Sequence, residues 1–252
     1  MKKKKRLFAI LLALCVGFTM MPLAGSGGVA HAEDGNTVNT VVTRTTMLDL
    51  TSTDGKYMAT NGKKTTVDFT KNSVTDSAES WAWNHETKTL TLSGARIVVE
   101  GTDNVESNCY GIFLPADSVT IVLEEGTESF VQARDAVGED IGGTIFSSNG
   151  IGNQYAYNGQ LTICGSGKLT IKGGKPTNDG NTAGRISAGI FFGDVIVKDS
   201  AKLEIYGDSA ENIKDAAYSR GISCSQMTIT DNAQVTARGG DVKAVRSRES
   251  SG

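Results

Sequence analysis

Residues 219–241 read SRGISCSQMTITDNAQVTARGGD, and residues 187–208 read SAGIFFGDVIVKDSAKLEIYGD. The two phrases share their beats but few of their letters. Each has a Gly-Ile, a short alternating run, a polar turn, a second alternating run and a glycine. The same Gly-Ile recurs at 111–112, 150–151, 189–190 and 221–222, at spacings of 39, 39 and 32. After each comes a run such as Val119-Thr120-Ile121, Leu161-Thr162-Ile163, Val195-Ile196-Val197 or Met227-Thr228-Ile229. A second run follows eight residues on: Leu169-Thr170-Ile171, Leu203-Glu204-Ile205, Val235-Thr236-Ala237. The first unit has its match at Phe130-Val131, one residue later. A fixed internal period of this length is the mark of a repeat architecture.

Strict alternation over three to five residues predicts half-buried strands. Three short strands per unit bury too little alone, so successive units must stack on one another. Stacking equivalent strands in register predicts an all-β fold: a right-handed parallel β-helix (solenoid) of about four rungs with an N-terminal β cap. The inward letters then form ladders, Ile112/Ile151/Ile190/Ile222 and Ile121/Ile163/Val197/Ile229. The outward letters are largely Thr, which suits a solvated sheet face.

The corner between the second and third strands also repeats. It reads Cys164-Gly165-Ser166-Gly167-Lys168, then Lys198-Asp199-Ser200-Ala201-Lys202, then Thr230-Asp231-Asn232-Ala233-Gln234. Asp and Asn accept local backbone hydrogen bonds at such corners, and Gly or Ala keeps them small. Asp199 and Asp231 are therefore read as corner residues, not as a catalytic pair. Three longer loops (133–149, 175–188 and 208–220) return the chain to Gly-Ile. All should leave from one edge of the stack, where repeat proteins carry variation and binding.

The N-terminus carries a different message. Lys2 to Lys5 and Arg6 form a positive region, Leu7 to Phe18 an apolar stretch, and Ala30-His31-Ala32 a small-residue cleavage site. This predicts a secretory signal peptide over 1–32, too short for a membrane span. Residues 33–41 read as a flexible leader and 42–80 as the N-terminal cap, with strands near 45–50 and 65–69. The β-helix occupies 81–241, beginning with a hairpin whose arms are Trp81-Ala82-Trp83 and Thr89 to Leu92. Residues 242–252 read as a disordered or truncated tail, which leaves the last rung open to a partner or to self-association. Five of the 25 basic residues and none of the 28 acidic ones lie in 1–32, so the remaining chain carries 20 against 28, a net −8. That excludes nucleic acid as a partner. Cys109, Cys164 and Cys224 are odd in number and lack CxxC spacing, so free thiols are expected rather than a disulfide framework.

The phrases W-x-W-N-x-x-T-K-T-L-T-L-S-G (81–94), Y-G-I (110–112), V-T-I-V-L-E-E-G-T (119–127) and G-S-G-K-L-T-I-K-G-G (165–174) resemble a family of secreted bacterial β-helix domains found in surface proteins of Firmicutes. These domains are labelled carbohydrate-binding and are similar in fold to polysaccharide lyases. The resemblance covers 81–241. It implies an extracellular location, binding of acidic polysaccharide or cellulose in some members, and calcium in some loops. It supplies no ligand site that carries over residue by residue.

The residues themselves offer three chemistries. A lyase of this shape needs an acidic cluster beside a basic residue, and a hydrolase needs two carboxylates. The outward letters Thr120, Thr162, Ile196, Thr228, Thr170, Glu204 and Thr236 supply one carboxylate, so enzymatic activity is not expected. His85 is the one histidine after residue 32, with no nucleophile spaced for a triad and no zinc-ligand pattern. Calcium is the cofactor the loops admit, through Asp179, Asp208, Glu211 and Asp215. For a sugar, aromatic rings and cations are the candidates. Phe113 and Phe191 follow the Gly-Ile isoleucine and point outward, with Gly152 between them and their rings about 10 Å apart. Tyr155, Tyr157 and Tyr218 come from nearby loops; the loops either line a groove with these rings or fold over and bury them. Arg185 and Arg220 flank the same strand, as clamps for uronate carboxylates or as solvated loop residues. The expected function is a secreted, non-catalytic polysaccharide-binding surface module. The alternatives are a structural or adhesive segment and, last, a polysaccharide lyase.

Overall fold

The computed structural model describes residues 43–44, 47–53, 55–58, 64–77, 79–99, 108–138, 146–153, 158–178, 185–212 and 217–244. The expected signal peptide and leader, and residues 245–252 of the tail, lie outside the described residues. Among the described residues there is no helix, and long parallel sheets dominate.

Three sheets organise the chain. The first holds Leu48–Asp49, Asn108–Phe113, Phe146–Gly152, Arg185–Phe191 and Ala217–Ser223. The second holds Val74–Asp76, Trp81–Asn84, Thr89–Leu92, Val119–Leu123, Gln160–Gly165, Asp194–Val197 and Gln226–Ile229. The third holds Thr43–Arg44, Arg96–Val99, Glu128–Gln132, Lys168–Lys172, Lys202–Tyr206 and Gln234–Arg238. From Asn108 onward the chain visits first, second and third sheet in that order, four times. Each strand pairs in parallel with its counterpart in the next pass.

The register follows the inward letters. Leu48, Ile112, Ile151, Ile190 and Ile222 are paired down the first sheet. Leu90, Ile121, Ile163, Val197 and Ile229 are paired down the second. Ile97, Val131, Ile171, Ile205 and Ala237 are paired down the third. Each Leu, Ile or Val that these ladders bury fully contributes about 1.5–3 kcal/mol. In the ladder of Leu169, Leu203 and Val235, the first pass has Ser129 instead. Its buried hydroxyl accepts hydrogen bonds from the Gly94 and Ala95 amides (3.2 and 3.1 Å).

Gly-Ile recurs because the glycine backs directly onto the third sheet. A methyl group at Gly111 would lie 2.7 Å from Val131 Cγ1, and one at Gly150 would overlap Ile171 Cγ2. Two positions before each glycine stands Cys109, Ser148, Ser187 or Ser219, and the serines fasten the turn that follows the third sheet. Ser148 Oγ donates to Arg134 O of the previous pass (2.5 Å) and accepts from Gly174 N of its own (3.0 Å). Ser219 Oγ repeats this with Asp208 O and Gly240 N, both at 2.6 Å. At the other corner Gly165, Asp199 and Asp231 are equivalent, and all have positive φ (96°, 61° and 56°). Glycine tolerates that conformation freely, and aspartate better than most side chains. The Asp199 carboxylate accepts the Gly165 amide, and the Asp231 carboxylate accepts the Asp199 amide, each at 3.1 Å.

The two ends of the stack differ. At the N-terminal end, Trp81–Asn84 pairs antiparallel with Thr89–Leu92, and Val74–Asp76 pairs antiparallel with Trp81–Asn84. Trp81, Trp83, Phe69, Leu48 and Leu50 are buried there, and Trp83 Nε1 donates to Phe69 O (3.2 Å). In the last described pass the inward letters are uncovered. Ile229 is 49% exposed, whereas its partners Ile163 and Val197 are fully buried.

Candidate functional site

The residues singled out on the first sheet divide into separate groups. Phe113 and Phe191 are both half-buried and two strands apart, with Gly152 between them. The space over Gly152 holds a ring that sequence reading missed. Tyr110 packs on the Gly152 backbone, and its centroid lies 4.7 Å from that of Phe113. Its hydroxyl donates to Asn153 O (3.3 Å), and burial pushes its pKa up to about 12. Tyr218 and Arg220 come together, with the guanidinium carbon 5.1 Å from the ring centroid and Nη1 donating to Ser223 Oγ (3.3 Å). Arg185 opens its strand, but its side chain lies outside the description. Tyr155 and Tyr157 lie outside the described residues.

The expected calcium ligands are not assembled among the described residues. The exposed Asp208 carboxylate turns onto its neighbour, accepting from Ser209 N (2.5 Å) and Ser209 Oγ (3.3 Å). Glu211 lies in the strand Ala210–Asn212, and its side chain is not described; Asp179 and Asp215 lie outside the described residues. Among the described residues no group of three or more His, Cys, Asp or Glu side chains is placed to hold a metal. Cys109, Cys164 and Cys224 form no disulfide; Cys109 is buried and accepts from Arg134 Nε (3.3 Å), and the other two are half-buried.

The outer face of the third sheet is where depressions, rings and charges coincide. Alternation turns three residues of each full-length strand outward. Glu128, Lys168, Lys202 and Gln234 form one column, and Phe130, Thr170, Glu204 and Thr236 form the next, which Arg96 extends. Gln132, Lys172, Tyr206 and Arg238 form the third column, which ends at the buried Val98. Five cations face two carboxylates here, a balance of +3, on a chain whose net charge is −3. A depression of about 440 Å³ lies between Glu128, Lys168, Lys202, Glu204 and Thr236. A second, of about 600 Å³, lies between Phe130, Lys172, Glu204, Tyr206 and Asp208. Glu204 lines both.

The side chains on this face hold one another in place. Lys168 Nζ lies 2.9 Å from Glu204 Oε1, and the hydrogen bond to that carboxylate raises the lysine pKa. The Phe130 ring has Arg96 Cζ 4.9 Å and Lys172 Nζ 5.5 Å from its centroid. A cation over an aromatic ring keeps its charge and its outward N–H groups while losing freedom to move. Sequence reading singled out only the middle column of the repeats, Thr170, Glu204 and Thr236. The signal lay one alternation step to either side, in Lys168, Lys172, Lys202, Tyr206 and Arg238. No family model, characterised relative or solved structure matches this chain, so its likeness to secreted β-helix domains rests on the phrases in the sequence.

Proposed function

We propose that the protein is a secreted, non-catalytic module that binds polysaccharide on the outer face of its third sheet. We also propose that its repeated passes form a right-handed parallel β-helix, capped at the N-terminus by residues 42–80. Three sheets visited cyclically with parallel partners support the solenoid, and the strong right-handed preference of parallel crossovers supports its hand. The observation that carries the function is the pair of half-exposed rings, Phe130 and Tyr206, that line one depression of the face. Rings offer apolar faces to sugars, and the surrounding polar groups fix orientation. The face is unlike a glycosidase site, which needs two unobstructed carboxylates. Here Lys168 is paired in register with Glu128 and salt-bridged to Glu204.

The test is native electrophoresis through gels containing acidic or neutral glycans, with a parallel assay for released sugars. Retardation without new reducing ends or unsaturated products is the expected result. Product release would replace this reading with a lyase or hydrolase. Calcium in the loop that begins at Asp208 is a separate proposal, addressed by repeating the gels with a chelator. A second reading, a structural or adhesive segment, is favoured by the exposed Ile229 and Met227 of the last described pass. It predicts concentration-dependent association in light scattering that Ile229→Asp abolishes.

A further inference from the structure

The last described pass leaves both its core and its strand edges open. Among the described residues the large apolar side chains that stand exposed are Tyr218, Met227, Ile229 and Val242, and all lie in this pass. The strands Ala217–Ser223, Gln226–Ile229 and Gln234–Arg238 each have a paired neighbour on one side only. Each therefore presents a row of unpaired amides and carbonyls. Sheet edges that must stay solitary are blunted by proline, by lysine or by being short. Residues 217–241 contain neither Pro nor Lys. The outermost strands at the N-terminal end, Thr43–Arg44, Leu48–Asp49 and Val74–Asp76, are only two or three residues long. They cannot receive the long edge of another copy, so the two ends do not fit each other.

From this we infer that the last pass docks on the last pass of a second copy of the chain, about a two-fold axis. Such a relation lets one surface meet itself and closes after two chains. Three orientations are open to it, one for each sheet laid on its own counterpart, and charge selects among them, since like charges set opposite each other destabilise a strand pair. Laying the first sheet on itself puts the opposite corner, with the exposed Asp231, against its own copy. Laying the third sheet on itself sets Asp231 against Asp241, because these stand equally far either side of Thr236. Laying the second sheet on itself places Asp231 opposite the uncharged corner Ser223–Ser225. It also turns Gly239-Gly240 onto its own copy, so that Arg238 meets Asp241 of the other chain. Both side chains are exposed, and neither is paired within the chain among the described residues. The two Gln226–Ile229 strands then run antiparallel, with Met227 against Ile229 of the other copy. The pass from Ala217 to Ala244 supplies about the 20–30 residues a side that a stable interface uses. This inference rests on the reading of the exposed last pass as an association surface and narrows it to one partner and one geometry. The outer face of the third sheet stays free, so a dimer retains its glycan face.

The experiment is sedimentation velocity over a wide dilution range, on the protein expressed from its full sequence. The expected result is one associated species of twice the chain mass, with nothing larger, that dissociates on dilution. Ile229→Asp should remain monomeric. Arg238→Glu should weaken the dimer about tenfold, because it turns an attraction into a repulsion twice per dimer. Adding Asp241→Arg to it should restore the parent's affinity, since the exchanged charges again attract. Far-ultraviolet circular dichroism of every variant should match that of the parent, which separates lost association from lost folding. Species that keep growing with concentration would overturn the inference and leave the last pass an association surface of another kind. A dimer lost in Ile229→Asp but untouched by Arg238→Glu, or not restored by the charge exchange, would overturn the geometry and leave that reading standing. A dimer insensitive to Ile229→Asp, or a parent that stays monomeric at every concentration, would overturn both the inference and the reading beneath it.

Discussion

The outer faces of the second and third sheets are built on the same frame and carry opposite content. Both consist of parallel strands paired pass by pass, with alternate residues turned outward. On the second sheet the central outward column is Thr89, Thr120, Thr162, Ile196 and Thr228. On the third, the central column is Arg96, Phe130, Thr170, Glu204 and Thr236, and with the columns on either side the face holds five cations, two carboxylates and two rings. The frame therefore does not dictate its surface. Inward letters, corner residues and the serines that fasten the turns specify the stack. Threonine suffices wherever the outward letter has only to favour a strand.

The largest effect is expected from breaking what the two faces share. Ile171→Ala removes a fully buried side chain of the third ladder and should lower unfolding free energy by about 2–5 kcal/mol, read from denaturant midpoints. Both faces should suffer together. Ser148→Ala should cost about 1–3 kcal/mol, because it strips a hydrogen-bond partner from the Arg134 carbonyl and the Gly174 amide. A loss below half a kcal/mol would mean that water replaces the hydroxyl there.

A third prediction concerns the first sheet, whose outer face is closed by Tyr110. Burial raises the Tyr110 pKa from 10.0 to about 12. The folded state then holds its proton where the unfolded state has lost it. Stability should therefore fall as pH rises from about 10 toward about 12, and Tyr110→Phe should flatten that fall at the cost of about 1 kcal/mol at neutral pH. Urea midpoints across that alkaline range decide it. The smallest expected effect sharpens the comparison directly. Thr162→Lys with Thr228→Lys places cations two strands apart on the second sheet. Stability should change by less than about 0.5 kcal/mol, and no new retardation by acidic glycan should appear, because rings are lacking beside them. New retardation would show that charge alone is sufficient.

The frame was legible because its rules are local. Gly-Ile marked the first sheet, and the ladders Ile112/Ile151/Ile190/Ile222 and Ile121/Ile163/Val197/Ile229 are paired as the alternation requires. The aspartate corners were legible too, since Asp199 and Asp231 occupy a left-handed position that Gly165 fills in the pass before. The site was less legible. Lys172, Tyr206 and Arg238 form a column only once three strands of different passes are laid in register. Phe130 is offset by the longer corner of the first pass, where Ser129 takes the place of Leu169. Tyr110 was hidden for another reason: nothing in Tyr110-Gly111-Ile112 signals that the ring will lie across Gly152, the residue immediately after the next Gly-Ile.

The serine and aspartate fasteners have a direction. Ser148 and Ser219 reach back to carbonyls of the preceding pass, and Asp199 and Asp231 reach back to its amides. In each case the incoming pass supplies the side chain, and the pass already in place supplies only backbone. Tyr110 and Asp135 bond in the opposite sense, to Asn153 O and the Lys175 amide of the pass that follows, so the four fasteners set a bias rather than a rule. The bias favours assembly from the N-terminal side, where each new pass brings the Ser or Asp that fastens it to backbone already in place.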